Sequence, residues 1–168
     1  MLKVIATTMV LLTVATACSE SNEPARANDA AATATTTAIR SEAALAISAG
    51  DPVVKWGPCP PIFTAAGCEI AVLHGDPARP NADVFLRVPG GYAIPRHRHT
   101  SAERMILVSG KMQVRYKGTP AATLAAGHYA YGPAGLPHEG SCLSDQPCTL
   151  FIAFEGPVDA EAFAGSLD

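Results

Sequence analysis

The stretch 91-GYAIPRHRHTSAERMILVSG-110 decides which fold and which chemistry this sequence predicts. It contains two histidines two positions apart, His97 and His99, followed by a carboxylate at Glu103. Side chains two residues apart in a β-strand point to the same side, so both imidazoles should project from one face. Glu103 stands at an even offset and joins them if the strand continues that far. The stretch therefore predicts a face of a β-structure that carries metal-binding groups.

A second stretch, 127-GHYAYGPAGLPH-138, adds a third imidazole at His138, which a distant strand would supply. Three neutral imidazoles and one carboxylate are good ligands for a divalent transition metal, and Fe, Mn, Zn, Cu and Ni all accept such a set. Four protein ligands can leave two positions of an octahedron for water, substrate or dioxygen. Open positions are typical of catalytic metal sites. The sequence does not choose among these metals.

Both stretches resemble the two sequence motifs of the cupin family. The first motif, G-x5-H-x-H-x3–4-E-x6-G, is matched at every fixed position between residues 91 and 110. The second, G-x5-P-x-G-x2-H-x3-N, is matched up to the histidine, but Cys142 replaces the final asparagine. The resemblance spans roughly residues 51–158. It implies an all-β fold, a double-stranded β-helix or jelly-roll barrel, whose metal is held by His97, His99, Glu103 and His138.

Short apolar runs bounded by turn residues predict strands throughout the folded region. The predicted strands are Ala71–Leu73, Val84–Val88, Arg104–Val108, Met112–Tyr116, Tyr129–Tyr131 and Leu150–Phe154. No long helical periodicity occurs among them. About 110 residues suit one domain with a single core, and we place this cupin domain at residues 50–158. Residues 159–168 are expected to form a C-terminal tail, either frayed or in a short helix.

Large apolar side chains are expected to fill the interior of the predicted barrel. Strand alternation puts seven of them there, subject to the register of each strand: Phe85, Met105, Leu107, Tyr129, Tyr131, Phe151 and Phe154. Aromatic residues at such positions more often fill a core than bind a substrate.

The first residues of the chain predict export. Residues 1–17 have the pattern of a secretory signal peptide. They have a basic start, an apolar run to Ala17 and small residues before the expected cleavage site. Residues 15–18 resemble the bacterial lipobox, which favours lipidation of Cys18 over simple secretion after an A-x-A cleavage. Residues 18–49 are rich in Ala, Thr, Ser and Asn and should form a flexible tether. We expect a periplasmic or cell-surface lipoprotein that contacts the membrane only through its lipid anchor.

The cysteine count agrees with lipidation. Acylation of Cys18 would leave four of the five cysteines, an even number that can form disulfides without a remainder. The four are Cys59, Cys68, Cys142 and Cys148. Three pairings of these four are open, and the pairing of near neighbours in sequence is the simplest. Export makes disulfides chemically reasonable. Neither close pair has the C-x-x-C spacing of zinc or redox sites, which argues against those roles.

The charge distribution argues against nucleic acid as a partner. The net charge is −3, and the folded region has no basic cluster. Arg96, Arg98 and Arg104 should point away from the histidines and lie on a solvated strand face. His74 and His128 stand outside the ligand positions and are expected at the surface or at strand ends. Neither a phosphate-binding G-x-x-x-x-G-K-[ST] loop nor a G-x-S-x-G nucleophile elbow occurs.

Together these features predict a metal-dependent cupin oxidoreductase of dioxygenase type that acts on a small molecule outside the cytoplasm. The metal centre itself would be catalytic, and Glu103 could act as a base by leaving the metal. One alternative is a non-catalytic lipoprotein that binds a metal or a small ligand. Another is a structural cupin whose metal only stabilises the barrel. The cupin resemblance also implies that the protein can form a homodimer.

Overall fold

The structure is a computed structural model, and it describes residues 43–168. The predicted signal peptide at residues 1–17 and the predicted lipidation site Cys18 lie outside the described residues. The same holds for most of the predicted tether at residues 18–49. These three therefore stay predictions. Residues 44–168 form a single compact unit, which extends beyond the predicted domain of residues 50–158 at both ends.

Eleven β-strands and no helix are present in the described residues. The strands are β1 (Gly57–Pro58), β2 (Glu69–His74), β3 (Ala82–Val88), β4 (Ala93–Arg98), β5 (Glu103–Ser109), β6 (Lys111–Tyr116), β7 (Ala122–Ala125), β8 (Tyr129–Gly132), β9 (His138–Cys142), β10 (Cys148–Phe154) and β11 (Glu161–Ala162). Each of the six predicted strands lies inside one of these. Within residues 43–168 no helix is long and apolar enough to cross a bilayer.

The strands form two antiparallel sheets that enclose one core. The six-stranded sheet has the order β1-β2-β3-β10-β5-β8, and the five-stranded sheet has the order β11-β4-β9-β6-β7. Apart from β1-β2-β3 and β6-β7, strands that are neighbours in space are not consecutive in sequence, as in a jelly roll. The prediction of an all-β, double-sheet fold is confirmed.

Side-chain alternation places one metal-binding group among the core residues. In β5, Glu103, Met105 and Leu107 are buried, and the residues between them are exposed. Met112 and Val114 are buried in the same way from the other sheet. Because a strand buries only alternate residues, Glu103 shares its face with the apolar core.

The aromatic side chains divide between the two faces of the six-stranded sheet. Three of the seven side chains expected inside the barrel are in its core: Met105, Leu107 and Phe154. The expectation is wrong for the others. Phe85 and Phe151, with ring centroids 6.4 Å apart, belong to a separate cluster on the opposite face. Tyr129 and Tyr131 are 57% and 47% exposed, because Ala130 between them takes the inward position.

The chain does not continue as one strand from His97 to Glu103, so the condition under which Glu103 would share a strand face with the histidines is not met. β4 ends at Arg98 in the five-stranded sheet, and β5 begins at Glu103 in the six-stranded sheet. Residues 99–102 carry the chain from one sheet to the other. Glu103 consequently approaches the histidines from the opposite sheet.

Gly110 and two disulfides fix the connections between strands. Gly110 joins β5 to β6 with a φ of 88°, and a Cβ there would lie 2.8 Å from Sγ of Cys148. Only glycine fits this turn without strain. Disulfides join Cys142 to Cys148 and Cys59 to Cys68, which is the pairing of near neighbours. Cys142 thus has a structural partner at the position where the cupin motif has asparagine.

Residues 159–168 differ from the tail or short helix that was expected. β11 pairs with β4, and Ala162 lies opposite His97. Leu167 is 3% exposed, and its carbonyl accepts a hydrogen bond of 2.8 Å from the N–H of Gly118. β4 would otherwise be the edge of its sheet with unpaired backbone groups, which β11 covers.

Candidate metal centre

Three histidines converge inside the barrel where β4 ends and β9 begins. His97 lies in β4, His99 follows that strand, and His138 opens β9. His97 and His138 are cross-strand neighbours whose ring centroids are 4.2 Å apart. The ring of His99 lies 4.8 Å from that of His97 and 5.2 Å from that of His138. One ring nitrogen of each lies within 4.8 Å of the others, so the three buried imidazoles form a metal-binding group.

Backbone carbonyls fix the tautomer of each imidazole. Each Nδ1 faces one carbonyl oxygen. The pairs are His97 with Pro95 at 2.7 Å, His99 with Asp159, and His138 with Leu136 at 3.2 Å. A carbonyl oxygen can only accept a hydrogen bond, so each Nδ1 must carry the hydrogen. Each Nε2 then has a free lone pair, which is the form that binds a metal ion.

Burial keeps the three imidazoles neutral at neutral pH. It lowers the pKa of His97 from 6.5 to about 4, and the neighbouring His99 adds to the effect. It lowers the pKa of His138 to about 3, with further contributions from His97 and His99. The pKa of His99 is lowered by burial too, although its bond to the carbonyl of Asp159 opposes this. The Nε2 lone pairs are therefore available without competition from protons.

Glu103 faces these nitrogens from the six-stranded sheet. Its Oε1 lies 3.2 Å from Nε2 of His138, and its Oε2 lies 3.4 Å from Nε2 of His99. Glu103 is 2% exposed, and burial raises the pKa of its carboxyl from 4.5 to about 8. Oε1 has no hydrogen-bond partner among the described residues. Because each Nε2 carries a lone pair, acceptor faces acceptor unless a proton or a cation lies between them.

A divalent cation fits this arrangement of groups. It would supply the positive charge that the three Nε2 lone pairs and the unpartnered Oε1 lack. Neutral imidazoles and one carboxylate would leave the ion with one net positive charge. Nitrogen and oxygen donors in this proportion suit Fe, Mn, Zn, Cu and Ni. The structure thus brings together all four side chains that the sequence singled out.

Gly132 makes room for the Glu103 carboxylate, although the motif comparison did not single it out. It lies opposite Glu103 in the pairing of β8 with β5. A Cβ at this position would lie 2.7 Å from Oε1 and 2.8 Å from Cγ of Glu103. A glycine inside a run of strand residues is a signal of such close approach, and the run 129–132 carries that signal. Beside it, the hydroxyl of Tyr116 is buried without a partner among residues 43–168.

Asp159 is another residue that sequence reasoning did not find. Its carbonyl holds Nδ1 of His99, and its carboxylate accepts hydrogen bonds from the backbone N–H of Thr100, at 2.9 Å, and from the Thr100 hydroxyl. Asp159 lies 60 positions after His99, so no local pattern links the two. It was assigned instead to a tail.

The surface predictions for the other charged and imidazole side chains are confirmed. Arg96, Arg98 and Arg104 are exposed, and their ion-pair partners are Glu139, Glu161 and Glu155, respectively. His74 and His128 are exposed as well, the first at the end of β2 and the second just before β8. Neither histidine lies in the metal-binding group.

Solved structures share the fold at low sequence identity. The DMSP lyase DddQ from Ruegeria pomeroyi matches with a TM-score of 0.57 and 19% identity, over 68% of this chain and 64% of that chain. An RmlC-like cupin from Shewanella frigidimarina gives 0.52 and 18%, over 63% and 86%. The oxalate decarboxylase of Bacillus subtilis, which has Mn(II) centres, gives 0.50 and 20%, over 58% and 28%. This chain spans less than two thirds of the DMSP lyase, and these likenesses show the fold alone.

The sequence itself matches a known family. No curated protein matches it. The model of the ChrR cupin-like domain, however, matches residues 50–159, which include both motif stretches and all four candidate ligands. That match covers well over half of the chain. The chain therefore belongs to the ChrR cupin-like domain family of the cupin superfamily.

Proposed function

We propose that this protein is a metal-dependent cupin oxidoreductase of dioxygenase type that acts on a small molecule outside the cytoplasm. The observation that carries the metal dependence is the buried Oε1 of Glu103, 3.2 Å from Nε2 of His138 and without a hydrogen-bond partner among the described residues. Burying a carboxylate beside three neutral imidazoles costs their hydration, and a divalent ion compensates for that loss. We assign His97, His99, Glu103 and His138 as its ligands.

The chain's own residues prepare this site for small-molecule chemistry. When bound, the ion would polarise a carbonyl or enolate oxygen of a substrate, and a redox-active ion would also support chemistry with dioxygen. The carbonyls of Pro95, Leu136 and Asp159 hold the imidazoles in the coordinating tautomer. β5 holds Glu103 against them beside the apolar core. Electrostatic interactions with a bound substrate are stronger in such a low-dielectric interior than in water.

Among the described residues that line the cavity beside the ligands, each further titratable side chain already has a partner. Apart from the four proposed ligands, the titratable side chains that line it are Asp159 and Glu139. The Asp159 carboxylate binds Thr100, and Glu139 lies 3.8 Å from Arg96. Reactions in which the ion does most of the work therefore fit this site better than proton abstraction by a separate side chain. Among the described residues that line the cavity, Glu103 lies nearest the imidazoles and could accept a proton by leaving the metal.

That same lack of a separate base favours one alternative function. A non-catalytic lipoprotein that binds a metal ion or a small ligand would need the ligand set and the cavity, but no acid–base group. The two functions differ in turnover and not in metal binding.

We also propose that the protein is exported and anchored through a lipid at Cys18. The signal-peptide pattern of residues 1–17 supports this, and so do the disulfides, which use all four cysteines of the described residues. Disulfides persist in oxidising compartments outside the cytoplasm. The homodimer is proposed from the cupin resemblance.

Metal binding provides the first test. The purified protein should bind one Zn(II) per chain after chelation and reloading, as measured by calorimetric titration. His99→Ala should weaken binding about 100-fold or more, because loss of a ligand exceeds the 10- to 100-fold typical of loss of its hydrogen-bond partner. His128→Ala, which removes an exposed histidine outside the site, should bind like the wild type. A wild-type protein that takes up no metal would refute the site.

The stability of the metal-free protein should depend on the protonation of Glu103. Its carboxyl has a pKa of 4.5 when unfolded and about 8 when folded. The stability that the neutral carboxyl contributes is therefore full below pH 4.5 and is lost as pH rises from 4.5 through 8, by up to about 1.4 kcal/mol per pH unit. Urea unfolding of chelated protein between pH 7 and 8 should show this slope, which Glu103→Gln should remove. The histidines contribute little there, because their folded-state pKa values lie below 6.5. If the free energy of unfolding of the wild type and of Glu103→Gln changed equally with pH, the burial of the Glu103 carboxyl would be contradicted.

Oxygen consumption separates the enzyme from the binding protein. Fe(II)-loaded protein is supplied with a panel of small phenols and diketones. With one of these compounds it should consume dioxygen in proportion to the amount of that compound converted. His138→Ala should abolish this consumption, whereas His128→Ala should not. A loaded wild type that exchanges its bound water but turns over no compound of the panel would instead support the non-catalytic function.

Membrane fractionation tests the anchor. The full chain expressed with its native N-terminus should sediment with the membranes, and Cys18→Ala should shift it to the soluble fraction of the periplasm or medium. A Cys18→Ala protein that stays on the membrane would argue against lipidation at this residue.

A further inference from the structure

Two segments outside the paired strands line the metal cavity at the end where the histidines lie. One is the loop of residues 59–68, which joins β1 to β2 and contributes Pro60 and Phe63. The other is the segment of residues 158–160, which precedes β11. Apart from His99, the remaining lining residues belong to strands. Because sheet pairing fixes the backbone of a strand, the cavity can open only where one of these two segments moves.

The segment of residues 158–160 is fixed to the barrel by its own hydrogen bonds. The N–H of Val158 donates to the carbonyl of Pro77 at 2.8 Å. The carboxylate of Asp159 accepts a bond of 2.9 Å from the N–H of Thr100. The chain then continues directly into β11, which pairs with β4. Movement of this segment would break all of these contacts.

The loop of residues 59–68 is fixed at its base and on one side. The disulfide between Cys59 and Cys68 closes it where β1 meets β2. The hydroxyl of Tyr92 donates a hydrogen bond of 3.1 Å to the carbonyl of Ala65. These contacts hold the second half of the loop against the barrel.

The tip of the loop is held by apolar contact. The N–H of Phe63 donates to the carbonyl of Pro60 at 3.0 Å, and that of Thr64 donates to Ile62 at 3.1 Å, so both bonds stay within the loop. The ring of Phe63 meets the ring of His97 edge-on, with centroids 5.5 Å apart. Phe63 is half-buried and lines the cavity, so a single side chain separates this end of the cavity from solvent.

The closed cavity is too small to admit a substrate beside the metal. Its volume is about 50 Å³, and a water-sized group needs about 10–15 Å³ of such volume. Roughly three to five such groups fit, and an ion with its water ligands takes up that space. An organic molecule therefore reaches the ion only when part of the wall moves outward.

We propose that the loop of residues 59–68 is the gate of the metal cavity, with Phe63 as the side chain that closes it. The inference rests on the metal site proposed above. Outward movement of the tip opens the cavity beside His97, so that the ion and small molecules can exchange with solvent, and its return covers the ligands again. The disulfide between Cys59 and Cys68 keeps the moving segment short, so the tip opens without separating β1 from β2.

The rates of metal exchange test the gate on the full chain. Association of Zn(II) and its dissociation from loaded protein are followed by stopped-flow mixing with a zinc-binding dye. A gate alters the barrier between the free and bound states, so it changes both rates in parallel. Loss of the apolar contact in Phe63→Ala should raise both rates about five- to tenfold. The Kd should stay within about threefold of the wild-type value.

Two further variants of the tip control for general effects of substitution. Thr64→Ala changes the exposed neighbour of Phe63 and should leave both rates unchanged. Phe63→Leu keeps an apolar side chain of smaller area and should raise both rates, but less than Phe63→Ala does. Phe63→Leu also keeps the proposal testable if the alanine variant does not fold.

The two disulfides form a second matched comparison. Replacement of Cys59 and Cys68 together by serine lengthens the moving segment and should raise both rates at least about threefold. Replacement of Cys142 and Cys148 together by serine opens a disulfide of similar size outside the cavity lining and should leave them unchanged. If the second double variant does not fold, Thr64→Ala remains the control.

The possible results distinguish the gate from the metal site. Parallel increases in both rates of Phe63→Ala support both proposals. A weaker Kd with an unchanged association rate would mean that Phe63 only positions His97, and it would overturn the gate. Wild-type rates in Phe63→Ala would also overturn it, and in both cases the metal site stands. Failure of the wild type to bind Zn(II), Co(II) or Mn(II) overturns the metal site and the gate with it.

Discussion

A carboxylate buried against the lone pairs of imidazole nitrogens is the constraint on which the rest of this barrel depends. Glu103 is 2% exposed, and its oxygens lie 3.2 Å and 3.4 Å from nitrogens that carry no proton at neutral pH. Such contacts are unfavourable unless positive charge is shared between them. The high pKa of the carboxyl in the absence of metal and the fit of a divalent ion follow from this one arrangement.

The two sheets and the C-terminal segment hold that arrangement together from several directions. The five-stranded sheet contributes His97 and His138, while the six-stranded sheet contributes Glu103. Gly132 leaves space for the carboxylate, and Asp159 orients the ring of His99. Since the supporting groups come from strands far apart in sequence, the site exists only in the folded barrel. Rigid support of this kind is what keeps ligands in place when a metal ion is absent.

Sequence patterns predicted the features that depend on neighbouring residues and missed those that depend on contacts between distant strands. The spacing of His97 and His99 suggested a shared strand face, and the resemblance of both glycine-framed stretches to the cupin motifs indicated the four ligands. The continuous strand that would have put Glu103 on the same strand face as the histidines does not form, and nothing in that stretch shows that the chain changes sheets at residues 99–102. Phe85 and Tyr129 were placed inside the barrel for a similar reason. Their strands have apolar residues on both faces, and apolarity alone does not tell which face is the core.

The sequence by itself determined the all-β class, the strand segments, the near-neighbour disulfides as the simplest pairing and the four residues that converge on the site. These depend on residue type and short spacing, which are properties of a linear pattern. Only the tertiary structure decided that Glu103 meets the histidines from the opposite sheet, that the carbonyl of Asp159 holds His99, and that residues 159–168 cover β4. Those contacts join residues that are far apart in sequence and meet only when the strands pair. The register of that pairing is set by the packing of the whole barrel.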